Sequence, residues 1–114
     1  MSIAMINSAE AKEYRHLVMF QFKEDAPPKK VQHIESEFVA LADKISEIES
    51  LEWGHNISPE GLNDGLTHCF LITFKSKQGF EAYLPHPAHK AFVEQLKPIL
   101  EKVVVLDYLA KSSK

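Results

Sequence analysis

The sequence predicts a single α+β domain with the element order β, α, β, β, α, β. Three observations support this order: four runs rich in β-branched and aromatic residues, one long segment with helical periodicity, and a proline-rich corner that starts a second helix. With 114 residues, 45% hydrophobic and 25% charged, the chain matches one globular domain. Right-handed crossovers then give a ferredoxin-like four-stranded antiparallel sheet with helices on one face.

The first half of the chain contains two predicted strands and the most regular helix. Residues 15–22 are apolar at nearly every position and predict strand one. Asp25 before two prolines indicates a helix start, and apolar residues at spacings of three and four predict a helix over about residues 28–45. Residues 50–56 alternate between apolar and polar side chains, which predicts strand two.

The second half adds two strands around a proline corner. Residues 58–65 are dense in turn formers and predict a surface loop, and residues 67–74 predict strand three. Ser76 is suited to cap a short helix that reaches Tyr83. Pro87 is suited to start the next helix, which we expect to end near Lys97 because Pro98 removes an intrahelical bond. Residues 102–109 predict strand four.

The predicted helices cover only one face of the sheet, although strands one, three and four are apolar on both faces. The uncovered apolar residues are Leu17, Met19, Cys69 and Leu71, together with Val103 and Val105 or their alternates on strand four. An exposed apolar surface of this extent is typical of a protein interface. We therefore expect a two-fold homodimer whose sheets pack face to face.

Composition excludes several other classes of partner. The net charge of −3 and the absence of a basic run argue against a nucleic-acid partner. No apolar run reaches 18 residues and no signal segment is present, so we expect a cytoplasmic protein with no membrane partner. The single cysteine rules out an intrachain disulfide. We expect a weakly ordered extension over residues 1–14 and a tail over residues 111–114.

Chemically active residues concentrate between Tyr83 and His89. His89 is predicted in the first turn of a helix, where the positive end of the dipole disfavours imidazolium and favours a neutral general base. The Tyr83 phenol is then suited to bind a developing enolate oxygen. Alternatively, His86 and Tyr83 cap and pack the corner while His89 bonds to backbone. His86 and His89 have metal-ligand spacing but no nearby carboxylate, so we expect no metal and no cofactor.

Several motifs resemble the stress-responsive dimeric α/β-barrel (Dabb) family. They comprise residues 16–18, 58–62, 65–68, 81–89 and 105–108, and the predicted domain spans residues 15–110. The resemblance implies a ferredoxin-like fold and a homodimer whose paired sheets form a barrel. By resemblance to a plant cyclase of the family, His89 is the acid/base residue, Tyr83 its partner, and His16 and His68 line the pocket. That enzyme has a tyrosine where this chain has Phe38 and a tryptophan where it has Leu100.

Three functions follow from these features as hypotheses. The first is a cofactor-independent lyase or cyclase acting on a small apolar carbonyl compound, in a pocket lined by Phe20, Phe38, Phe70, Phe92 and Leu96. The second is a non-catalytic module for stress response or small-molecule binding. The third, a cofactor-free monooxygenase, rests on analogy between folds alone. The sequence leaves open whether the protein is an enzyme.

Overall fold

A computed structural model describes residues 12–111 of the protein, so most of the predicted extension over residues 1–14 and of the tail over residues 111–114 lies outside the described residues. Tyr14 belongs to the first strand. The elements are β1 (Tyr14–Phe22), α1 (Pro28–Lys44), β2 (Ile48–His55), β3 (His68–Phe74), α2 (Lys77–Tyr83), α3 (Pro87–Leu96), a 3₁₀ turn (Lys97–Ile99) and β4 (Leu100–Leu109). Each predicted element is present, with ends that differ by one or two residues.

The four strands form one antiparallel sheet in the order β2-β3-β1-β4. β1 lies between β3 and β4, and β2 is an edge strand. The connection from β1 to β2 therefore crosses β3, and the connection from β3 to β4 crosses β1, with helices on the crossovers. The predicted ferredoxin-like fold is confirmed.

Prolines and one serine determine where the helices begin. Pro28 is the first residue of α1, where a missing N–H costs no intrahelical bond. The Ser76 side chain accepts a hydrogen bond from the Gly79 N–H and caps α2 as predicted. Pro98 lies in the 3₁₀ turn that follows α3, which agrees with the expected loosening of the helix end.

The hydrophobic core lies between the helices and one face of the sheet, and it is rich in aromatic rings. Phe38 of α1 stacks on Phe70 of β3 with ring centroids 4.2 Å apart, and it also contacts Phe92 of α3 at 4.7 Å. All three are nearly or fully buried. Burial of each phenylalanine side chain contributes about 1.5–3 kcal/mol to folding. This cluster fixes α1 and α3 against the centre of the sheet.

The opposite face of the sheet carries no helix among the described residues. Leu17, Met19, Cys69 and Leu71 lie on it as predicted, because they alternate with the buried residues of β1 and β3. On β4 the register places Val104 opposite Met19 and Leu106 opposite Leu17, so these residues belong to the uncovered face. We call Leu17, Met19, Cys69, Leu71, Val104 and Leu106 the open face.

The register corrects one part of the prediction for β4. Val103 pairs with Phe20 and Val105 pairs with Val18, so both valines lie on the helix side of the sheet. They stay 45% and 48% exposed because the helices do not extend over this edge strand. None of the helices within residues 12–111 is both long and apolar enough to cross a membrane.

Candidate active site

The proline corner between α2 and α3 positions His89 and fixes its tautomer. The His86 side chain caps α3, because its Nδ1 accepts a hydrogen bond from the Ala88 N–H at 3.0 Å. His89 follows in the first turn, with its Nδ1 3.0 Å from the carbonyl oxygen of Leu84. A carbonyl oxygen can only accept, so His89 Nδ1 carries the proton. In the neutral ring, Nε2 then has the free lone pair that a general base needs.

Burial lowers the pKa of His89 below its usual value of 6.5. The hydrogen bond to the Leu84 carbonyl acts in the opposite direction, while the nearby His16 and His86 lower the pKa further. The direction agrees with the expectation of a neutral imidazole. The leading cause is burial in the cavity, whereas the sequence suggested the start of the helix.

Tyr83 lies beside His89, with ring centroids 4.3 Å apart, and its side chain is 1% exposed. Burial raises the pKa of the Tyr83 phenol far above its usual value of 10, so the hydroxyl stays protonated. The hydroxyl makes no hydrogen bond within residues 12–111. The only fully enclosed side-chain polar atom without a partner in that range is Nε of Arg15, so the Tyr83 oxygen retains contact with open space. It is free to donate a hydrogen bond to a ligand.

A third group on the same side of the sheet is a histidine paired with a carboxylate. His16 Nδ1 lies 2.6 Å from Oδ1 of Asp107, its cross-strand partner on β4. Tyr14 donates its hydroxyl to the other carboxylate oxygen at 2.7 Å. Burial, together with this bond to Asp107, raises the pKa of Tyr14 to about 12. The carboxylate therefore orients His16 in one tautomer, with Nδ1 as the donor.

These groups border one apolar cavity of about 480 Å³ between the sheet, α1 and α3. Its polar side chains are His16, Tyr83, His89, Lys97 and Asp107. Its apolar wall includes Val18, Phe20, Phe38, Phe80, Leu84, Phe92, Val93, Leu96, Leu100, Val103 and Val105. A cavity with mostly apolar walls and a few convergent polar groups is the usual form of a small-molecule site.

The structure brings together most of the predicted site residues and separates two. His89, Tyr83, His16, Phe20, Phe38, Phe92 and Leu96 all border the cavity. Phe70 is fully buried and supports the wall from behind Phe38. His68 does not border the cavity, because its ring packs against Phe22 and Trp53 and bonds to Glu35; its partner Phe20 lies four residues along β1 from His16. That separation is about 13 Å along an extended strand, so the expected grouping of His68 with His89 is corrected.

Sequence reasoning missed the role of Asp107 in this cavity. The residue lay within a recognised motif near the C-terminus, but its pairing with His16 depends on the register between β1 and β4. Those strands are 91 residues apart at this contact. The only signal for this pair in the sequence is an acidic residue on β4 that can face the histidine of β1. It can be recognised only after β4 has been aligned antiparallel to β1.

The histidines of the corner are not arranged to share a metal ion. His86 Nδ1 is used in capping α3, and His89 Nδ1 bonds to the Leu84 carbonyl. Within residues 12–111, the one group of three or more potential ligand side chains that converges consists of Glu35, His55 and His68, outside the cavity.

The fold and the cavity define a ferredoxin-like α+β protein with a histidine and a tyrosine in an apolar pocket. The protein belongs to the stress responsive A/B barrel domain (Dabb) family, whose sequence model matches residues 14–110. It is 34% identical over 94 residues to the stress-response A/B barrel domain-containing protein HS1 of Arabidopsis thaliana, an alignment that covers 82% of this chain and 86% of HS1.

Two similar proteins carry names that specify an activity. Olivetolic acid cyclase of Cannabis sativa is 27% identical over 94 residues, covering 82% of this chain and 93% of the cyclase. The hydroxynitrile lyase of Passiflora edulis has a solved structure that superposes with a TM-score of 0.85 and 27% identity, covering 91% of this chain and 98% of the lyase. A protein of unknown function from Bacteroides fragilis, with 25% identity, a TM-score of 0.69 and coverage of 86% and 96%, is described as dimeric and ferredoxin-like.

Proposed function

We propose that the protein is a cofactor-independent lyase or cyclase that acts on a small apolar carbonyl compound in the His89 cavity. One observation carries this proposal: His89, with Nδ1 bonded to backbone, and Tyr83, whose hydroxyl is free, border the same apolar cavity with ring centroids 4.3 Å apart. A base and an oxygen-binding donor together suffice to remove a proton from the carbon next to a carbonyl group.

The proposed step moves one proton and one electron pair. His89 Nε2 takes the proton from the carbon α to the carbonyl, and the electron pair of that C–H bond forms the carbon–carbon double bond of an enolate. The negative charge develops on the former carbonyl oxygen, to which Tyr83 donates a hydrogen bond. Such a bond, absent or weaker in the ground state, lowers the barrier. The enolate carbon then attacks a second carbonyl of the same molecule, and the alkoxide formed there takes the proton back from His89 Nε2. Alternatively, the enolate re-forms its carbonyl and expels an anionic leaving group from the β carbon, and His89 Nε2 gives its proton to that group.

The His16–Asp107 pair adds a second polar group to the cavity, next to the corner. Because Asp107 holds His16 through Nδ1, the remaining ring edge is available to a ligand group. The His16 and Tyr83 rings approach each other edge to face, with centroids 5.8 Å apart. We assign His16 to substrate orientation, since the base described above is already supplied by His89.

The similarity to a cyclase supports the enolate step. The similarity to a hydroxynitrile lyase supports a related use of the same base: His89 would take the hydroxyl proton of a hydroxynitrile, the carbonyl would form, and cyanide would leave from the carbon. Neither similarity identifies the substrate. Phe38 and Leu100 both border the cavity. At these two positions the plant cyclase is expected to have a tyrosine and a tryptophan. This chain therefore has a purely apolar side chain at each position in place of one bearing a polar atom. The favoured ligands are therefore apolar around the reacting carbonyl.

A substrate panel tests the proposal. Linear polyketides and aliphatic or aromatic hydroxynitriles are incubated with the wild type, with His89→Ala and with a surface control, His33→Ala, and products are separated by chromatography. His33 is exposed, its side-chain hydrogen bond within residues 12–111 is to Gln95, and neither residue borders the cavity. We expect turnover in the wild type and the control and none in His89→Ala. Equal turnover in all three proteins would contradict the assignment of His89.

A second candidate function is a non-catalytic stress-response or ligand-binding module. The similarity to the stress-response protein HS1, at 34% identity, favours it. In that case the panel yields ligands that raise the melting temperature without being converted, and His89→Ala changes binding or stability alone. The two functions are thus separated by product formation.

We also propose that the open face forms a homodimer interface. The face carries six apolar side chains on three adjacent strands, and Leu106 is 56% exposed in the isolated chain. Contiguous apolar surface on a sheet is typical of an interface. The dimeric description of the Bacteroides fragilis protein supports the same assembly. Sedimentation analysis tests it, and a monomer at all concentrations would contradict it.

A further inference from the structure

Three potential metal ligands converge on the helix side of the sheet, at the end opposite to the His89 cavity. They come from three separate elements: Glu35 from α1, His55 from the end of β2 and His68 from the start of β3. Glu35 Oε2 lies 2.7 Å from His68 Nε2 and 3.2 Å from His55 Nε2. The three ligand atoms all lie within 4.8 Å of one another.

A second layer of contacts fixes the more buried histidine. His68 Nδ1 lies 2.8 Å from the Thr67 hydroxyl oxygen, and that hydroxyl lies 3.4 Å from the carbonyl oxygen of Phe20. Without a metal, His68 Nε2–H donates to the Glu35 carboxylate, and the Thr67 hydroxyl donates to His68 Nδ1. A metal ion bound at Nε2 would replace that proton, and Nδ1–H would then donate to Thr67 and Thr67 to the Phe20 carbonyl. Histidines that bind metals are commonly oriented by such a bond on the other ring nitrogen.

The surroundings of the cluster favour the charged form of the Glu35 carboxylate, and one side of the cluster is open to solvent. Although burial alone would raise the pKa of Glu35, hydrogen bonds from His68 and His55 outweigh it and lower the pKa. The side chains of His68 and Glu35 are 8% and 17% exposed, whereas that of His55 is 58% exposed. Trp53 stacks nearly parallel to the His68 ring, at 6.2 Å, and contacts His55 edge to face. The solvent therefore reaches the cluster from the His55 side.

We propose that Glu35, His55 and His68 bind a divalent transition-metal ion, with Zn²⁺ as the reference ion. Two imidazole nitrogens and one carboxylate match the ligands of a three-ligand zinc site, which leaves a fourth position for water or an external ligand. Bonds of about 2.0–2.1 Å in a tetrahedral site place ligand atoms about 3.3 Å apart, so only small side-chain shifts are needed. Nitrogen ligands disfavour Ca²⁺ and Mg²⁺, which prefer oxygen.

This site is independent of the proposed enzymatic function and departs from the expectation of no bound metal. That expectation considered only His86 and His89, which lack a carboxylate partner. The ligands found here are separated by 33 residues between Glu35 and His68, and by the loop between β2 and β3.

Metal titration of the metal-free full chain tests the proposal. Zn²⁺ binding is measured by calorimetry, and Co²⁺ binding by its visible absorption, which becomes intense in a tetrahedral site. The variants are His55→Ala and Glu35→Gln, with His33→Ala as the control. His55 is on the surface, so its removal is not expected to prevent folding, and circular dichroism verifies the fold of each variant.

We expect one Zn²⁺ per chain in the wild type and in His33→Ala, a tetrahedral Co²⁺ spectrum, and a melting temperature that rises with Zn²⁺ concentration. Loss of a ligand should weaken Zn²⁺ binding at least tenfold in the other two variants. Equal Zn²⁺ affinity in His55→Ala and His33→Ala would overturn the proposal, as would an octahedral Co²⁺ spectrum or a wild type that binds no Zn²⁺ at micromolar concentrations.

Discussion

Replacing Tyr83 by phenylalanine separates catalysis from stability, because it removes one oxygen atom and leaves the ring in place. The ring contacts Phe74, Phe80 and His89, with centroids 4.3 to 6.3 Å away, and those contacts persist in the variant. The hydroxyl makes no hydrogen bond within residues 12–111, so no structural bond is lost there. The Tyr83 oxygen keeps contact with open space, so its removal leaves no buried polar group unpaired, and Tyr83→Phe should be about as stable as the wild type.

The effect of Tyr83→Phe on turnover should be large. Loss of one hydrogen-bond donor to a developing oxyanion typically reduces kcat by about 10²–10³, or about 2.7–4 kcal/mol of transition-state stabilisation. Melting temperature by circular dichroism and kcat on the best substrate of the panel measure the two effects. A fall in melting temperature of about 4–8 °C, equivalent to about 1 kcal/mol for a domain of this size, with unchanged kcat would show a structural hydroxyl and refute the reasoning.

Three further predictions concern the base, the core and the interface. The pKa of His89 is lowered, so kcat/KM should fall to half of its plateau value only at a pH below 6.5, whereas a midpoint above 6.5 would contradict the assignment. Phe38→Ala should lower the free energy of unfolding by about 3–5 kcal/mol in urea titrations, since it leaves a hole beside the Phe70 and Phe92 rings. Leu106→Glu should yield a monomer in sedimentation analysis, while Ile57→Glu, at a side chain 92% exposed on a loop, should not.

Acidification should also weaken the fold through His89. The unfolded chain binds a proton at His89 near pH 6.5, before the folded chain does, because the folded pKa is lower. The free energy of unfolding therefore falls as the pH drops below 6.5 and levels off below the folded pKa. His89→Gln removes this contribution, so its stability should depend less on pH across that window. An unchanged dependence in the variant would contradict the burial of His89.

Much of the fold could be predicted from local patterns. Proline and serine signals located the helix starts at Pro28, Lys77 and Pro87, because capping depends on neighbouring residues alone. Because successive side chains of a strand point to opposite faces, the residues of β1 and β3 could be assigned to the correct faces of the sheet. β2 begins at Ile48, earlier than its alternation indicated, and a register shift lies between Ile48 and Ser50. Such irregularities depend on the partner strand and leave no clear period in the sequence.

Features that depend on strand register were not accessible. Valines at 103, 104 and 105 have no polar neighbours to reveal a face, and only their pairing with β1 decides which of them points to the helices. The same register joins His16 to Asp107. The separation of His68 from His89 likewise follows from the alignment of β3 with β1. Sequence patterns identified the residue types of the site, and the pairing of strands determined their grouping.

Exchange of the proton α to a carbonyl with solvent deuterium tests the assignment of His89 most directly. A small aromatic ketone that binds the cavity is incubated in D₂O with the wild type, His89→Ala or His33→Ala, and loss of the α-proton signal is followed by NMR. We expect exchange faster than in buffer for the wild type and His33→Ala, and exchange at the buffer rate for His89→Ala. Exchange by His89→Ala at the wild-type rate would contradict the role of His89 as the base.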